Sequence, residues 1–158
     1  MNDQEAEAWR EKEIAATNYR SKLRDARERK GLTEHQAAAL MKIGSAAYYD
    51  LEAFEGDITG CYSLNEILLI CKSLDLRPRE LFFDVPVLPL SIDEVISQIA
   101  RHCSEKSISI AEFEDIAGWR IASCLANPRV ALDEWCVDCL MDICRESGVE
   151  WSRAIAGL

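Results

Sequence analysis

Side chains able to do covalent or metal chemistry are few in this chain, and their spacing narrows what they can do. The two histidines, His35 and His102, have no serine, cysteine or carboxylate at a spacing that suggests a triad, and no glycine-rich phosphate loop is present. His102 and Cys103 are adjacent in a helical pattern, so their side chains diverge into a surface histidine and a core cysteine. Acidic pairs such as Glu112 and Asp115 read as solvated helix surface. The seven cysteines are Cys61, Cys71, Cys103, Cys124, Cys136, Cys139 and Cys144. An odd count, with an acidic N-terminal segment that lacks an apolar leader, argues for free thiols in a reducing, cytoplasmic setting. Cys136-Val-Asp-Cys139 has zinc-like spacing, but no second CxxC or histidine pair follows. Both thiols also fall in a helical pattern with Leu132, Trp135, Leu140 and Ile143, which favours packing over a metal or redox role. The expectation is a non-enzyme with no cofactor and no metal.

What remains is binding chemistry, and charge bounds it. The net charge is −10, which opposes the phosphates of a nucleic acid. The acid is unevenly spread. Residues 1–18 hold two basic and five acidic side chains, residues 19–84 ten and eleven, and residues 85–158 six and twelve. In the middle segment the cations bunch as Arg20, Lys22, Arg24, Arg27, Arg29 and Lys30. Such a run is either a solvated helix face or a helix that lies along a backbone and neutralises phosphates. At 158 residues and 49% apolar, the chain can bury the core of one domain or two small ones. It has no apolar run long enough to cross a membrane.

The elements that would position these side chains are helical. Leu32 to Gly56 organises them. Thr33 and Gln36 form a capping box that opens a short helix with Ala37, Leu40 and Met41 at 3–4 spacing. Ile43-Gly44 is a tight turn, and Ser45 is the expected N-cap of a second short helix, Ala46 to Ala53, with Ala47, Tyr48 and Leu51 on one face. Two short helices across a glycine turn are the pattern of a DNA-reading helix-turn-helix, or of a plain helical hairpin. Before it, residues 3–16 read as an Ala/Glu-rich helix with Trp9 and Ile14 as its large apolar side chains, either a frayed extension or a partner-contacting arm. Tyr19 to Lys30 reads as a helix with Tyr19, Leu23 and Ala26 inward, stopped by Gly31. After it, Phe54 to Tyr62 reads as a loop, Ser63 and Glu66 cap a helix burying Leu64, Ile67, Leu68, Cys71 and Leu74, and Arg79 to Phe83 is a short helix with Pro78 in its first turn. Val85-Pro-Val-Leu-Pro89 is a linker.

Leu23-Arg-Asp-Ala-Arg27-Glu-Arg-Lys-Gly31-Leu-Thr33, then Ala38, Leu51-Glu52, Leu64 to Leu68 and Leu76-Arg-Pro-Arg-Glu-Leu81-Phe82 resemble the lambda-repressor-like (Xre, Cro/repressor) helix-turn-helix family over about residues 19–83. The resemblance implies a five-helix bundle whose third helix, Ser45 to Ala53, enters the major groove of double-stranded DNA, with the start of the second helix on phosphate. It also implies that Arg27 meets Glu52, a pair able to lock the first helix to the third. The DNA-contacting positions it implies are Thr33, Glu34, Lys42, Ser45, Ala46, Ala47, Tyr49 and Asp50. Several depart from the family pattern. Glu34 stands where glutamine is common, and none of Ser45, Ala46, Ala47, Tyr49 and Asp50 has the bidentate base-reading groups of Arg, Lys, Asn or Gln. Lys42 is the one basic residue at the turn.

The tail can be laid over the middle. Ile96 to Cys103 takes the place of the first helix, and Ser109-Ile-Ala-Glu112 repeats the capping box. Ile116-Ala-Gly118 repeats the turn, and Trp119 to Leu125 takes the place of the reading helix. Leu132 to Glu146 is a long helix and Glu150 to Ile155 closes the chain. The expected organisation is all-α. An N-terminal helical extension (1–18) precedes a helix-turn-helix domain (19–84), a Pro-containing linker (85–90) and a C-terminal helical domain (91–158), the last a degenerate copy or an unrelated bundle that looks alike. Trp119, Trp135 and Trp151 would fill its core or form a partner surface. The leading functional expectation is a sequence-specific DNA-binding transcriptional regulator. It would work as a homodimer with half-sites roughly 34 Å apart, or as a single-chain pseudo-dimer. The alternative is a protein-interaction module of the same fold that binds a protein partner through acidic surfaces around Glu34, Asp50, Glu55 and Asp57.

Overall fold

Four helix starts follow directly from side-chain chemistry. The hydroxyls of Thr33, Ser63, Ser91 and Ser109 each accept the backbone N–H three residues on, from Gln36, Glu66, Glu94 and Glu112, at 3.2 to 3.3 Å. Each of those four side chains returns a bond to the cap N–H. Two orphan donors are thereby satisfied at every start. In the computed structural model, residues 3–15, 18–54, 57–83 and 86–158 are described, and every regular element among them is a helix. They are α1 (Asp3–Ala15), α2 (Tyr19–Arg29), α3 (Glu34–Met41), α4 (Ser45–Ala53), α5 (Asp57–Gly60), α6 (Leu64–Ser73) and α7 (Pro78–Phe82). The second half continues with α8 (Ile92–Lys106), α9 (Ile110–Ala117), α10 (Ala122–Ala126), α11 (Val130–Glu134), α12 (Val137–Ser147) and α13 (Trp151–Ala156). The chain is all-α, and no described helix is long and apolar enough to cross a membrane. Glu55, Gly56, Asp84, Val85 and the side chain of Ile14 lie outside the described residues.

Several boundaries differ from the sequence expectation, each for a packing reason. Asp57 to Gly60, expected as loop, is the short helix α5, because Ile58 and Thr59 are fully buried. Gly44, not Ser45, is the N-cap of α4, and Ser45 is its first residue. Leu40, expected inside α3, is half exposed, and Ala37, Ala38 and Met41 face the core instead. The expected long helix from Leu132 is two helices, broken where Trp135 and Cys136 turn extended. The break seats the Trp135 ring fully in the core, with its Nε1–H donating to the Arg120 carbonyl at 3.2 Å. Trp119 lies outside α10, which starts only at Ala122; its Nε1–H donates to Asp142 at 3.0 Å.

One apolar core runs from Tyr19 to Ile155 through both halves. Burying Leu23, Ile67, Ile99 or Leu140 completely is worth about 1.5–3 kcal/mol each. Helix α1 lies on α12. Arg10 pairs with the buried Asp142 at 2.6 Å, and the Arg145 guanidinium sits 5.4 Å over the Trp9 ring while also bonding Asp142 at 2.8 Å. The linker is seated too. The Leu90 N–H donates to the Arg153 carbonyl at 2.9 Å, the Arg153 Nε–H donates to the Leu88 carbonyl at 2.8 Å, and Leu90 is buried. Gly157 permits this approach, because a Cβ there would stand 1.9 Å from the Leu90 carbonyl oxygen.

Two outcomes follow from the packing. Gly157→Ala should destabilise the protein by about 1–3 kcal/mol, read as a lowered midpoint in denaturant; an unchanged midpoint would mean the linker is not seated on α13. Of the cysteines, Cys61 alone is exposed, and burial pushes the Cys71 and Cys144 thiols up to about 12. Titration of the native protein with an aromatic disulfide at neutral pH should show one fast-reacting thiol, lost in Cys61→Ser.

Candidate nucleic-acid interface

The site is built on α4, and α4 is held by a buried carboxylate. Glu52, in its last turn, is 5% exposed. A lone charge there would be untenable, so its oxygens are fully engaged. Arg27 Nε donates to one at 2.7 Å and Arg27 Nη2 to the other at 3.0 Å, a bidentate bond from α2. The Tyr48 hydroxyl, one helical turn earlier, donates at 2.6 Å, and Arg24 stands at 3.5 Å. Arg27 also donates from Nη1 to the Leu32 carbonyl at 3.1 Å, which ties the start of the next turn to the same group. Burial alone would raise the Glu52 carboxyl. The hydrogen bonds from Arg27 and Tyr48 and the charges of Arg27 and Arg24 outweigh it and hold the group below its ordinary 4.5. The bond to Glu52 raises the Arg27 guanidinium, and burial followed by the same carboxylate raises the Tyr48 hydroxyl.

The far end of α4 is held from α2 as well. Arg20 Nη1 donates to the Ala53 carbonyl at 3.0 Å and the Tyr19 hydroxyl to the Phe54 carbonyl at 3.1 Å, so two C-terminal carbonyls find partners. With Tyr48 and Leu51 buried, the opposite side of α4 faces outward: Ser45, Ala46 and Tyr49 are exposed, Ala47 and Asp50 half-buried. At its N-terminus no side chain caps the helix. There His35 Nδ1 and Ser45 Oγ are hydrogen-bonded at 2.7 Å, joining the first turns of α3 and α4. Thr33 and Glu34 are exposed beside them, Thr33 spending its hydroxyl on the cap.

Lys42 is exposed at the turn between α3 and α4, at φ 58° and ψ 35°. That left-handed conformation costs a residue with a Cβ about 1–2 kcal/mol. Gly118, the C-cap of α9, adopts it at φ 75° without that penalty.

The start of α10 in the second half is shut. Glu114 in α9, 8% exposed, accepts the Ile121 and Ala122 N–H groups at 2.7 and 2.9 Å and the Arg120 guanidinium at 3.0 Å. These backbone bonds first, then Arg120, hold its carboxyl below the ordinary value. Its oxygens therefore fill the anion-attracting N-terminus of α10, whereas that of α4 stays open.

Thr33, Glu34, Lys42, Ser45, Ala46 and Tyr49 are thus exposed on α3, its flanking turns and α4, with Ala47 and Asp50 half-buried, while the Arg27–Glu52 pair lies between α2 and α4. Sequence reading missed two links. The Tyr48 hydroxyl was hidden by counting tyrosine as apolar, although Tyr48 and Glu52 stand at i, i+4. The His35–Ser45 bond had no local signal, because it needs the turn to fold first. The α2 cations are largely committed: Arg20, Arg24 and Arg27 to α4, and Lys30 to Asp75 at 2.7 Å. Among the described residues no group of His, Cys, Asp and Glu could hold a metal ion. The Cys136 thiol instead accepts the Cys139 N–H at 3.4 Å as a helix cap. Compared with protein-family models, curated proteins and solved structures, the chain matches none.

Breaking the lock gives a signed outcome. Arg27→Ala leaves Glu52 buried without its main partner and should cost about 3–5 kcal/mol at neutral pH. A carboxyl held low in the folded state contributes stability that is present above its unfolded value and lost as pH falls through its folded value. With Arg27 gone, burial raises Glu52 instead. The stability gap between wild type and Arg27→Ala should therefore narrow as pH falls through the carboxylate range, starting above 4.5 as the variant's Glu52 protonates and continuing below it as the wild type's does, in denaturant titrations at several pH values. A gap constant with pH would contradict the charged lock.

Proposed function

We propose that this protein is a sequence-specific DNA-binding transcriptional regulator of the lambda-repressor-like helix-turn-helix type, with α4 as the helix that enters the major groove. The observation that carries the reading is the Arg27–Glu52–Tyr48 lock, which clamps one side of α4 to α2 and turns the other outward with small residues at its leading end. A groove about 12 Å wide admits a helix so presented. Ser45, Ala46 and Ala47 let the backbone come close. The uncapped α4 N-terminus and Lys42 supply positive potential for phosphate, and Lys42 holds a strained conformation that glycine would relieve. The two bundles this reading implies are α2–α7 and α8–α13, with α1 as an extension on α12.

The reading surface has no bidentate side chain, so its sequence preference rests on apolar contact. Ala46, Ala47 and Tyr49 suit the C5-methyl of thymine. A second reading has its own observation: the α2 cations are spent within the fold and Glu34 and Asp50 flank α4, a surface that fits a basic protein better than a phosphate backbone. Mobility shift over a salt series separates the two, since a regulator retards selected duplexes and weakens steeply with salt.

For DNA selected by the protein, replacing thymine by uracil should weaken binding about fourfold per contacted methyl, from ~0.8 kcal/mol of buried apolar carbon. Uracil duplexes bound equally well would contradict methyl readout. Lys42→Gly should stabilise the fold by about 1 kcal/mol yet weaken DNA binding on all sequences and lower the salt slope by about one. Gains in both stability and affinity would remove Lys42 from the interface.

A further inference from the structure

The two halves meet with a reciprocity that an ordinary domain contact lacks. Ser63, the cap of α6, forms an antiparallel bridge with Cys136, the cap of α12, and the Leu64 N–H donates to the Trp135 carbonyl at 2.9 Å. Ser63 and Cys136 are 73 residues apart. On one side of the bridge Asn65 donates to Asp133 at 2.5 Å. On the other the Asp138 carboxylate stands against Gly60, 3.1 Å from where its Cβ would be, and bonds Thr59. Adding 73 to 60 and 65 gives 133 and 138. Position 60 of the first half thus meets the equivalent of 65 in the second, and 65 meets the equivalent of 60. The helices obey the same exchange: α5 packs on α12, α6 on α11, and α7 on α13, with Phe83 and Trp151 rings 4.7 Å apart. Contact of i with j′ and of j with i′, about a pair that meets its own equivalent, is the signature of an isologous two-fold interface.

We infer that this seam is a two-fold dimer interface contained within one polypeptide: the C-terminal half is the partner that the N-terminal half would otherwise recruit from a second chain. The α5–α6 surface is covered, so the protein is a monomer in solution. One further consequence rests on the DNA reading proposed above. Glu114 closes the α10 end, so only α4 is open to a groove, and one chain engages one asymmetric half-site instead of a palindrome.

Sedimentation of the 158-residue chain tests the seam without DNA. The expected mass is 17.8 kDa across a wide concentration range; a species of twice that mass would overturn the inference. Hydrogen exchange at the Leu64 amide locates the seam. As the first residue of α6 this N–H has no partner within its own helix, so its protection reports the bond to Trp135 alone. It should be protected to the same degree on dilution; an unprotected amide, or protection that fades on dilution, would overturn the internal seam. Titration of a selected duplex should then saturate at one protein per site, and two proteins on a palindrome would overturn the half-site arm. Absence of any DNA binding would remove the α4 reading alone, leaving the seam to be decided by mass and exchange.

Discussion

A carboxylate that is nearly dry must be matched, and Glu52 is matched by Arg27 from a different helix. That requirement fixes where α4 can lie. The bidentate geometry admits little rotation, Tyr48 uses one more acceptor site on the same group, and Arg27 reaches on to the Leu32 carbonyl that leads into α3. Three helices are thereby registered by one ion pair. Its value lies less in net stability, which buried pairs seldom supply, than in which surface of α4 is left exposed.

The second half uses a buried carboxylate for the opposite purpose. Glu114 in α9 turns inward to satisfy backbone donors at the start of α10. The helix it caps has five residues against nine in α4. One half keeps a long helix with an open positive end; the other keeps a short helix whose end is already filled. The acid is concentrated in the C-terminal half, so under the DNA reading proposed above the net charge of −10 falls mostly on the half that need not approach phosphate.

Much of this was legible from residue types alone. The capping pairs Thr33–Gln36, Ser63–Glu66 and Ser109–Glu112 mark helix starts because their chemistry is local, and Gly31 and Gly118 mark ends for the same reason. The Arg27–Glu52 pair came from a family resemblance and not from spacing, since a sequence separation of 25 hides it from any local pattern. What escaped was decided by tertiary contact. The α5 helix forms because Ile58 and Thr59 are buried, the break before Cys136 forms because Trp135 needs the core, and the paired caps at Ser63 and Cys136 require both halves to be folded. Glycine-poor left-handed ends at Lys42, Asp75 and Ser107 carry no sequence mark at all.

Under the DNA reading proposed above, the Arg27–Glu52 lock sets the duplex on the outward side of α4. Backbone amide shifts in nuclear magnetic resonance, recorded while a selected DNA duplex is added to the 158-residue chain, test it residue by residue. The largest changes should fall on Lys42 and on Ser45 to Asp50, with α9, α10 and the acidic C-terminal surface unmoved. Changes centred on α8–α13 with α4 silent would contradict it.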